Sequence, residues 1–496
     1  MLRRCREPRT VGEILCRAAR KYHRKEALRS EEKSLHYTEM KDSAEILAGA
    51  FREMGIRFGD RIAVLLPNGR DAVLTFLACG ITGAVFVPLD IFYRRPELEK
   101  IMKNLHVSLL IADDSFFPLA VSLYETCPKL KNLVLSQTEN ADFSSFEKLL
   151  QFRKKTDGFP KVRPRTPLLH LFTSGSTGMP KSVLLSHANV IARGREYWRR
   201  FPLSANETCY NLAPLFRGAA LFSVIIPGIC YGIRTVLPAS FRPALVWQEM
   251  KAENVTIFHA NPFHFAVLAN LPQTDTDIPG LKLCFSSGNR LPANVAEKCY
   301  RRFGILIEER YGTVEAGGIC VNGFPRRGVR IRLTDERGKH IRTADQPGEI
   351  RIRTPMMVKK YYQSPHISRS IFRGGWFCSG DVGMRDSSGR IRILYRKKTV
   401  VRIGNREVYP DAVESIIRSH PCVKTAMVVR DSRESEKLKA YVSLEKQGSA
   451  ADILAFCKTR LDAREIPQIE IRDELPRSWK AVADGAAQSY PVWGKF

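Results

Sequence analysis

Apolar helical patterns alternate with short runs rich in β-branched residues over most of the first 310 residues. Runs such as residues 61–65, 109–112, 132–136 and 255–258 predict strands, and periodic segments such as residues 44–54 and 243–253 predict helices. Because a helix usually connects parallel neighbours in a sheet, this alternation predicts an α/β fold with parallel sheets. The 496 residues exceed what one ordinary hydrophobic core serves, so at least two domains are expected.

The sequence changes character at about residue 317. Short strand patterns at residues 329–333 and 349–353 lie between turn-forming segments, which predicts a small β subdomain up to residue 393. After Tyr395 comes an α+β segment of about a hundred residues, the size of a small domain. We therefore predict a large domain at residues 1–395 and a small one at 396–496, with the basic stretch 396–398 as the hinge.

Residues 72–89 form an apolar window long enough to suggest a membrane span. Gly80, Gly83 and Pro88 divide it, which predicts a core helix followed by a core strand. The basic start lacks a following apolar segment, so no secretory signal is expected. The twelve cysteines are scattered without a CxxC pair, which is typical of reduced thiols. The sequence predicts a cytoplasmic protein with at most peripheral membrane contact.

The formal net charge is +28, from 79 Lys and Arg against 51 Asp and Glu. Such a charge is compatible with binding to nucleic acid or an anionic membrane, or with a general attraction for anionic substrates. The basic residues are spread along the chain, with no basic arm and no zinc-finger spacing. We therefore expect anionic substrates and no specific nucleic-acid partner.

The strongest local motif follows the mostly apolar residues 168–172. It combines four hydroxyl residues with two glycines, namely Thr173, Ser174, Gly175, Ser176, Thr177 and Gly178. Glycines let backbone amides approach a phosphate, and Lys181 adds a positive charge. The spacing is not that of a Walker loop. A flexible linker is the alternative, but the apolar flank and the Pro-Lys ending argue against it.

Residues 173–190 resemble the phosphate-loop motif of the adenylate-forming superfamily, which includes acyl-CoA synthetases, peptide-synthetase adenylation domains and luciferases. More landmarks of that family follow in the same order, so the resemblance covers nearly the whole chain. It implies activation of a carboxylic acid with ATP as an acyl-adenylate, followed by transfer to coenzyme A. It also implies nucleotide binding by residues 173–178, with Thr173 and Lys181 acting in catalysis.

Residues 311–315 resemble the YGxTE element of the family. The resemblance places Tyr311 against the adenine and counts Gly312 and Thr313 among the nucleotide-binding residues. It also lets Glu315 help hold Mg²⁺ on the phosphates, a task that suits a carboxylate. Val314 stands where the family usually has a threonine that touches the α-phosphate. Either Thr313 replaces that contact, or the contact is lost.

Two further elements complete the nucleotide site implied by the resemblance. Residues 286–292 resemble the SGGAPLP turn, which puts Gly288 and Asn289 beside the adenine and acyl sites. Residues 376–381 resemble the W-x-x-[ST]-G-D element, in which Asp381 would accept hydrogen bonds from both ribose hydroxyls. Arg396 would contact ribose or phosphate, and Lys398 would be the pivot about which the small domain swings.

The chain departs from the family near its last residues. Residues 475–478 begin a PxTxxGK-like element, but Val482 stands where the lysine that neutralises charge during adenylation is expected. Lys480 comes two residues early, and Lys495 lies at the wrong distance from Pro476. Either lysine could serve in catalysis, or neither. If neither does, adenylation should be slow, because this charge acts mainly in the transition state.

Residues 211–221 resemble the family segment that flanks the acyl pocket. Phe216 belongs to it, and Arg217 replaces its histidine. The arginine faces either an acidic or polar acyl group or the solvent. No acidic residue lies between Thr208 and Ser240, which disfavours an α-amino acid as substrate. No carrier domain follows the small domain, so coenzyme A is the expected acceptor and a free-standing carrier protein is the alternative.

A different class of function is a degenerate member that binds nucleotide or acyl groups with little turnover. Val314, Arg217 and the displaced tail lysine support it, whereas the intact phosphate loop, Glu315 and Asp381 oppose it. Attack of a carboxylate on a phosphorus atom needs positioning and charge neutralisation more than acid–base residues. The ligase therefore remains the leading hypothesis.

Overall fold

The computed structural model describes most of the chain. The described residues are 8–31, 33–138, 142–153, 158–173, 181–198, 201, 203–271, 278–397, 401–403, 406–408, 410–418, 420–431, 437–444, 446–463 and 465–472. Their contacts separate into two compact units. The first unit holds the described residues up to 291 together with 295–322 and 354–373, and the second holds 292–294, 323–353 and those from 374 onward.

The α-helices of the described residues are, in chain order, α1 Val11–Lys21, α2 Tyr37–Glu53, α3 Arg70–Thr82, α4 Arg95–Leu105, α5 Phe117–Thr126, α6 Phe146–Leu150, α7 His187–Tyr197, α8 Ile226–Tyr231, α9 Val246–Ala252, α10 Pro262–Leu268, α11 Ala293–Phe303, α12 Pro365–Ile371, α13 Pro410–Arg418 and α14 Ala450–Lys458.

The strands are, in chain order, β1 Glu26–Ser30, β2 Lys33–His36, β3 Arg61–Leu65, β4 Val85–Pro88, β5 Val107–Ala112, β6 Asn132–Leu135, β7 Ser144–Ser145, β8 Pro167–Thr173, β9 Lys181–Ser186, β10 Thr208–Asn211, β11 Arg234–Val236, β12 Ile257–Ala260, β13 Leu283–Ser287, β14 Ile307–Thr313, β15 Gly317–Val321, β16 Phe324–Pro325, β17 Arg330–Thr334, β18 His340–Ile341, β19 Gly348–Arg353, β20 Phe372–Arg373, β21 Trp376–Arg385, β22 Ile391–Arg396, β23 Val401–Ile403, β24 Arg406–Val408, β25 Val423–Arg430, β26 Leu438–Leu444 and β27 Gln468–Ile471.

The first unit contains two twisted sheets. One runs in the order β15-β14-β13-β12-β10-β11-β1-β2 and the other in the order β7-β6-β5-β3-β4-β8-β9. Adjacent strands are parallel except in the pairs β1–β2, β14–β15 and β8–β9. The predicted α/β fold with parallel sheets is confirmed.

Two details of the sequence-based prediction need correction. The strand predicted at residues 255–258 lies two residues later, at Ile257–Ala260, because the chain first closes a turn after α9. Strand β15 was assigned to the small β subdomain but pairs with β14 in a sheet of the first unit. Gly317 has a φ of +77°, and this left-handed backbone lets the chain reverse and add an antiparallel strand at that edge.

The apolar window at residues 72–89 is a buried helix and a buried strand, as predicted. Helix α3 is almost wholly buried and ends at Gly83, whose φ of +76° closes its last turn. Strand β4 follows and is buried at every position. Among the described residues, none of the helices has the length and apolar character needed to cross a bilayer.

The second unit is built from small antiparallel sheets. The predicted strands at residues 329–333 and 349–353 are β17 and β19, in a sheet ordered β18-β17-β19-β21, with β22 paired to β21. Arg330 of β17 lies opposite Arg353 of β19, and Arg332 lies opposite Arg351. A separate sheet, β25-β26-β27, shares an apolar core with α13 and α14. The boundary at residues 395 and 396 stays a prediction.

Candidate active site

The first sheet of the first unit has a topological switch point between β10 and β12. The chain leaves β10 for β11 on one side and leaves β12 for β13 on the other. In open α/β sheets, the crevice outside the carboxyl ends of two such strands is the usual place for a ligand. Asn211 ends β10 and lies opposite His259 of β12, so both lie at this crevice.

The loop after β10 is held by a residue from the other sheet. Asn68 follows β3, and its amide nitrogen donates a hydrogen bond to the Ala213 carbonyl at 3.0 Å. The Leu215 amide donates to the Asn68 side-chain oxygen at 2.8 Å. Both groups of one amide side chain thereby fix the loop that carries Phe216. Sequence analysis missed Asn68, because a single asparagine after a strand carries no specific motif.

Phe216 and Arg217 lie at the end of this loop. Arg217 Nη2 is 3.5 Å from Asp90 Oδ2, and the arginine side chain is 53% exposed. Burial raises the pKa of Asp90, and the nearby Arg217 guanidinium opposes that rise. The Phe216 ring meets Phe92 edge to face, with centroids 6.2 Å apart. Arg217 therefore already has a carboxylate partner in the chain, and its predicted contact with an acyl group stays a prediction.

Polar side chains line the sheet just below the crevice. His259 is fully buried, with Nε2 2.8 Å from Ser287 Oγ and Nδ1 3.3 Å from Ser223 Oγ. Its ring stacks on Phe285 at 4.3 Å, and burial holds its pKa well below the ordinary value. The Arg310 guanidinium lies 3.8 Å from the centroid of the same Phe285 ring. Sequence analysis missed this group, because its members come from distant segments.

Glu315 and Lys181 are brought to the same tyrosine. Tyr361 Oη donates a hydrogen bond to Glu315 Oε1 at 2.6 Å, and both side chains are buried. The Lys181 Nζ lies 5.1 Å from the centroid of the Tyr361 ring. Both predicted residues therefore belong to one cluster. Sequence analysis missed Tyr361, since no spacing rule connects it to Glu315.

The residues around Glu315 explain the departure at Val314. The Val314 side chain packs against the main apolar core of the first unit. Thr313 Oγ1 accepts a hydrogen bond from the Ala316 amide at 3.0 Å and so closes the turn between β14 and β15. A β-carbon on Gly312 would lie 2.8 Å from the Gly317 carbonyl oxygen, so this position requires glycine. The two predicted alternatives, that Thr313 replaces the family threonine or that its phosphate contact is lost, both stay predictions.

The other predicted nucleotide-binding residues of the first unit lie at strand ends and turns. Thr173 ends β8 and pairs with Lys181 across the β8–β9 hairpin. Tyr311 lies on β14 opposite Cys320. Gly288 has a φ of +96° in the turn after β13, and Asn289 follows it as an exposed residue. Residues 174–178 lie outside the described residues.

The second unit brings Asp381 and Arg396 together. They are directly opposite on β21 and β22, and Arg396 Nε donates a hydrogen bond to Asp381 Oδ1 at 2.6 Å. The Asp381 side chain is 7% exposed and that of Arg396 is 46% exposed. Both were predicted at the nucleotide site, but their pairing was not. The other predicted residues of this part of the chain, Lys398, Lys480 and Lys495, lie outside the described residues.

Family models match both parts of the chain. The model described as AMP-binding enzyme matches residues 15–362, and the model described as AMP-binding enzyme C-terminal domain matches residues 412–480. The chain is 30% identical over 486 residues to a feruloyl-CoA synthase of Amycolatopsis sp, covering 94% of this chain and 96% of that protein. It is 27% identical to a long-chain-fatty-acid–CoA ligase of Bacillus subtilis (strain 168), covering 95% and 92%.

Solved structures have the same fold. The anthranilate CoA ligase AuaEII, in complex with anthranoyl-AMP, superposes with a TM-score of 0.86 at 23% identity, covering 96% of this chain and 98% of that one. A benzoate CoA ligase from Burkholderia xenovorans LB400 gives 0.83 at 23% identity, covering 95% and 97%. With the match over residues 15–362, these findings show that the chain belongs to the AMP-binding enzyme family, among the ATP-dependent, AMP-forming acid–CoA ligases.

Proposed function

We propose that this protein joins a carboxylic acid to coenzyme A in two steps driven by ATP. In the first, a carboxylate oxygen attacks the α-phosphorus of ATP, the bond to pyrophosphate breaks, and an acyl-adenylate forms. In the second, the thiol of coenzyme A loses its proton to solvent and attacks the acyl carbonyl, and AMP leaves. The observation that carries the proposal is the Lys181–Tyr361–Glu315 cluster, which offers a cation and a carboxylate at one place.

Glu315 has the chemistry needed to hold Mg²⁺. One carboxylate oxygen is fixed by Tyr361, and no residue in the described part of the chain donates a hydrogen bond to the other. No group of three or more His, Cys, Asp or Glu side chains suited to a metal occurs among the described residues. A magnesium ion bound together with phosphates needs only one or two carboxylates from the protein, and when bound it would neutralise phosphate charge. Tyr361 would orient the carboxylate for this contact.

The remaining site residues receive roles that depend on their chemistry. Lys181 and the 173–178 loop would bind phosphates, and Tyr311, Gly288 and Asn289 would border the adenine. Asp381 would accept hydrogen bonds from the ribose hydroxyls, and the hydrogen bond from Arg396 would orient its carboxylate.

The tail would complete the first step. One of Lys480 and Lys495 would supply the positive charge that stabilises adenylate formation. The small domain would begin at residue 396, with Lys398 as its pivot. We place the reaction in the cytoplasm, where ATP and coenzyme A are available, and keep a carrier protein as the alternative acceptor.

We propose that the acyl group lies in the crevice outside β10 and β12. The loop held by Asn68 brings Phe216 to this place, where its ring packs against Phe92. Relatives and structural neighbours are named for feruloyl, long-chain fatty-acyl, anthranilate and benzoate substrates, so both aromatic and aliphatic acids are candidates for this chain.

Pyrophosphate release from ATP and magnesium against a panel of acids tests the proposal. The panel should span short, long, aromatic and dicarboxylic acids, each with and without coenzyme A. We expect release that depends on one class of acid and increases with coenzyme A. The Glu315→Gln variant, purified in the same way, controls for contaminating ligases. If no acid causes pyrophosphate release although the protein binds ATP, the proposed ligase activity is wrong and a degenerate nucleotide-binding member is favoured.

A further inference from the structure

Arg193 is a fully buried arginine on α7, close behind the Glu315 loop. Its side chain donates three hydrogen bonds to backbone carbonyls. Nη1 donates to Val314 O at 2.8 Å, and Nη2 donates to Glu315 O at 3.3 Å and to Met356 O at 2.9 Å. The residue is only 2% exposed, so these carbonyls take the place of water around the guanidinium.

Burying this charge is costly. A guanidinium removed from water loses several kcal/mol of hydration, and an apolar side chain of similar volume is often as stable or more so. Burial lowers the pKa of Arg193 to about 10, so the group stays protonated at neutral pH. The Phe222 ring lies 5.3 Å away and offers its face to the cation. Nε has no acceptor among the described residues. Packing alone therefore does not explain an arginine here.

The three carbonyls belong to the two segments that hold Glu315. Val314 and Glu315 form the loop itself. Met356 lies two residues before Val358, whose amide donates to the Glu315 carbonyl at 2.8 Å, and the same segment continues to Tyr361. Tyr361 holds the carboxylate of Glu315, whereas Arg193 holds its backbone and the segment that carries Tyr361.

Helix α7 also connects this clamp to the phosphate-binding hairpin. It begins at His187, directly after β9, and β9 begins with Lys181. A rigid helix therefore joins the strand that carries the lysine to the arginine that holds the carboxylate loop. Arg193 therefore connects the helix that follows the lysine strand with the loop that carries Glu315.

We infer that Arg193 is a positioning residue for the adenylation step, which fixes the Glu315 carboxylate where it can bind the magnesium ion on the phosphates. This inference depends on the proposed function, and it assigns Arg193 no contact with ATP. The side chain acts through Glu315, so its loss should weaken the response to magnesium more than the binding of the acid.

The test is the magnesium dependence of acid-dependent pyrophosphate release in Arg193→Lys and Arg193→Met. Lysine keeps the charge but cannot donate to three carbonyls in the same planar geometry, and methionine removes both charge and donors. We expect the magnesium concentration for half-maximal rate to rise about 10–100-fold, as for other residues that orient a metal ligand, with the larger change in Arg193→Met. The KM for the acid should stay within a factor of about two.

Tyr37→Phe is the matched control. Tyr37 is 1% exposed, and its hydroxyl lies 2.7 Å from Gly228 O and 2.8 Å from Ile233 O. Its replacement removes a buried donor to backbone carbonyls in the same unit without touching the Glu315 loop. It should lower the melting temperature and leave the magnesium dependence unchanged.

The outcomes separate the two proposals. If the wild-type protein releases no pyrophosphate with any acid, the proposed function is wrong. If the wild type is active and Arg193→Lys changes only the melting temperature, as Tyr37→Phe does, Arg193 is merely structural and the inference is wrong. If Arg193→Met does not fold, the double variant Arg193→Lys with Tyr361→Phe decides. A rise in the magnesium concentration for half-maximal rate that is smaller than the product of the two single-variant rises supports a shared action on Glu315. A rise equal to that product contradicts it.

Discussion

The two units of the molecule surround the carboxylates of the proposed nucleotide site with different partners. In the first unit, the carboxylate of Glu315 accepts a hydrogen bond from the neutral hydroxyl of Tyr361. In the second unit, Asp381 is paired with the positive guanidinium of Arg396, so its charge is already compensated. In the function proposed above, the carboxylate with the neutral partner binds the metal ion, and the one paired with a cation accepts hydrogen bonds from the ribose hydroxyls.

The same contrast holds for the basic groups. Arg193 of the first unit is buried against backbone carbonyls. Arg310 is buried against aromatic rings and lies 3.3 Å from a carboxylate oxygen of Glu308. Both need such partners because water is excluded. The second unit places Arg330 opposite Arg353, and both are exposed, so solvent and salt screen their repulsion. The buried arginines of the first unit therefore depend on specific contacts, whereas the exposed pair Arg330 and Arg353 of the second unit depends on solvent screening.

The largest expected effect is at Glu315. Glu315→Gln keeps the shape and the hydrogen bond from Tyr361 but removes the charge that the cation requires. We expect kcat for pyrophosphate release to fall about 100–1,000-fold, the size of loss found when one charge-stabilising group is removed. Single-turnover rates of pyrophosphate release, measured over a range of magnesium concentrations, test this expected fall. An unchanged magnesium dependence would mean that Glu315 is not the metal ligand.

Asp381→Asn should have a smaller effect of a different kind. Asparagine accepts hydrogen bonds through one oxygen only, and Arg396 loses its ion pair. A hydrogen bond to a charged group contributes about 1.5–3 kcal/mol, so kcat/KM for ATP should fall about 10–100-fold. Magnesium dependence should not change, because the metal site is elsewhere in the chain. A shift in magnesium dependence as large as that of Glu315→Gln would break the distinction between the two carboxylates.

Acid should destabilise the first unit through its buried histidines. Burial lowers the pKa of His170 and of His187 to about 4, against an ordinary value of 6.5. Below pH 6.5 these histidines bind protons in the unfolded chain, whereas in the folded chain they stay neutral until about pH 4. Stability is therefore complete above pH 6.5 and falls between 6.5 and 4, by up to about 1.4 kcal/mol per pH unit for each histidine.

Melting temperatures from pH 7.5 to 4.5 measure this loss. In the wild type, the Val11 amide donates a hydrogen bond to His187 Nδ1 at 3.0 Å. His187→Asn keeps an acceptor for this amide and should reduce the slope of melting temperature against pH. An equal slope in wild type and variant would show that His187 does not titrate with unfolding.

The smallest expected effect concerns the opposed arginines. Arg353→Gln should stabilise the second unit by about 0.2–1 kcal/mol, because like charges directly opposite in a sheet are unfavourable. Arg332→Gln is the matched control, since Arg332 also lies over the Trp376 ring at 4.4 Å and its loss removes that favourable contact. Urea unfolding at low and high salt should show the gain only at low salt. A gain that persists in high salt would have another cause.

The alternation of helices and strands was enough to predict the parallel sheets. The activity was predicted from the resemblance of short motifs to the adenylate-forming superfamily, and the roles that this resemblance assigns to Lys181, Glu315, Asp381 and Arg396 stay predictions. The assignment of β15 failed because one turn at Gly317 decides which sheet the strand joins.

The residues that hold the site could not be predicted in this way. Asn68 acts on a loop after β10, and Arg193 acts on Met356, so their roles exist only once distant segments are packed together. Tyr361 likewise meets Glu315 only in the folded chain. Residues 174–178 and the tail lysines lie outside the described residues, and their roles stay predictions.

The pairing of β1 with β11 determines when the first sheet can be completed. Leu28 of β1 pairs with Thr235 of β11, and β2 adds to β1 from the outer side. At about 5–20 residues per second, a ribosome needs about 10–40 seconds to travel from the first of these residues to the second. During that time β1 has no parallel partner in its sheet, whereas α1, α2 and α3 can already pack on one another. The edge of β1 that pairs with β11 should therefore stay unpaired until the eleventh strand has emerged.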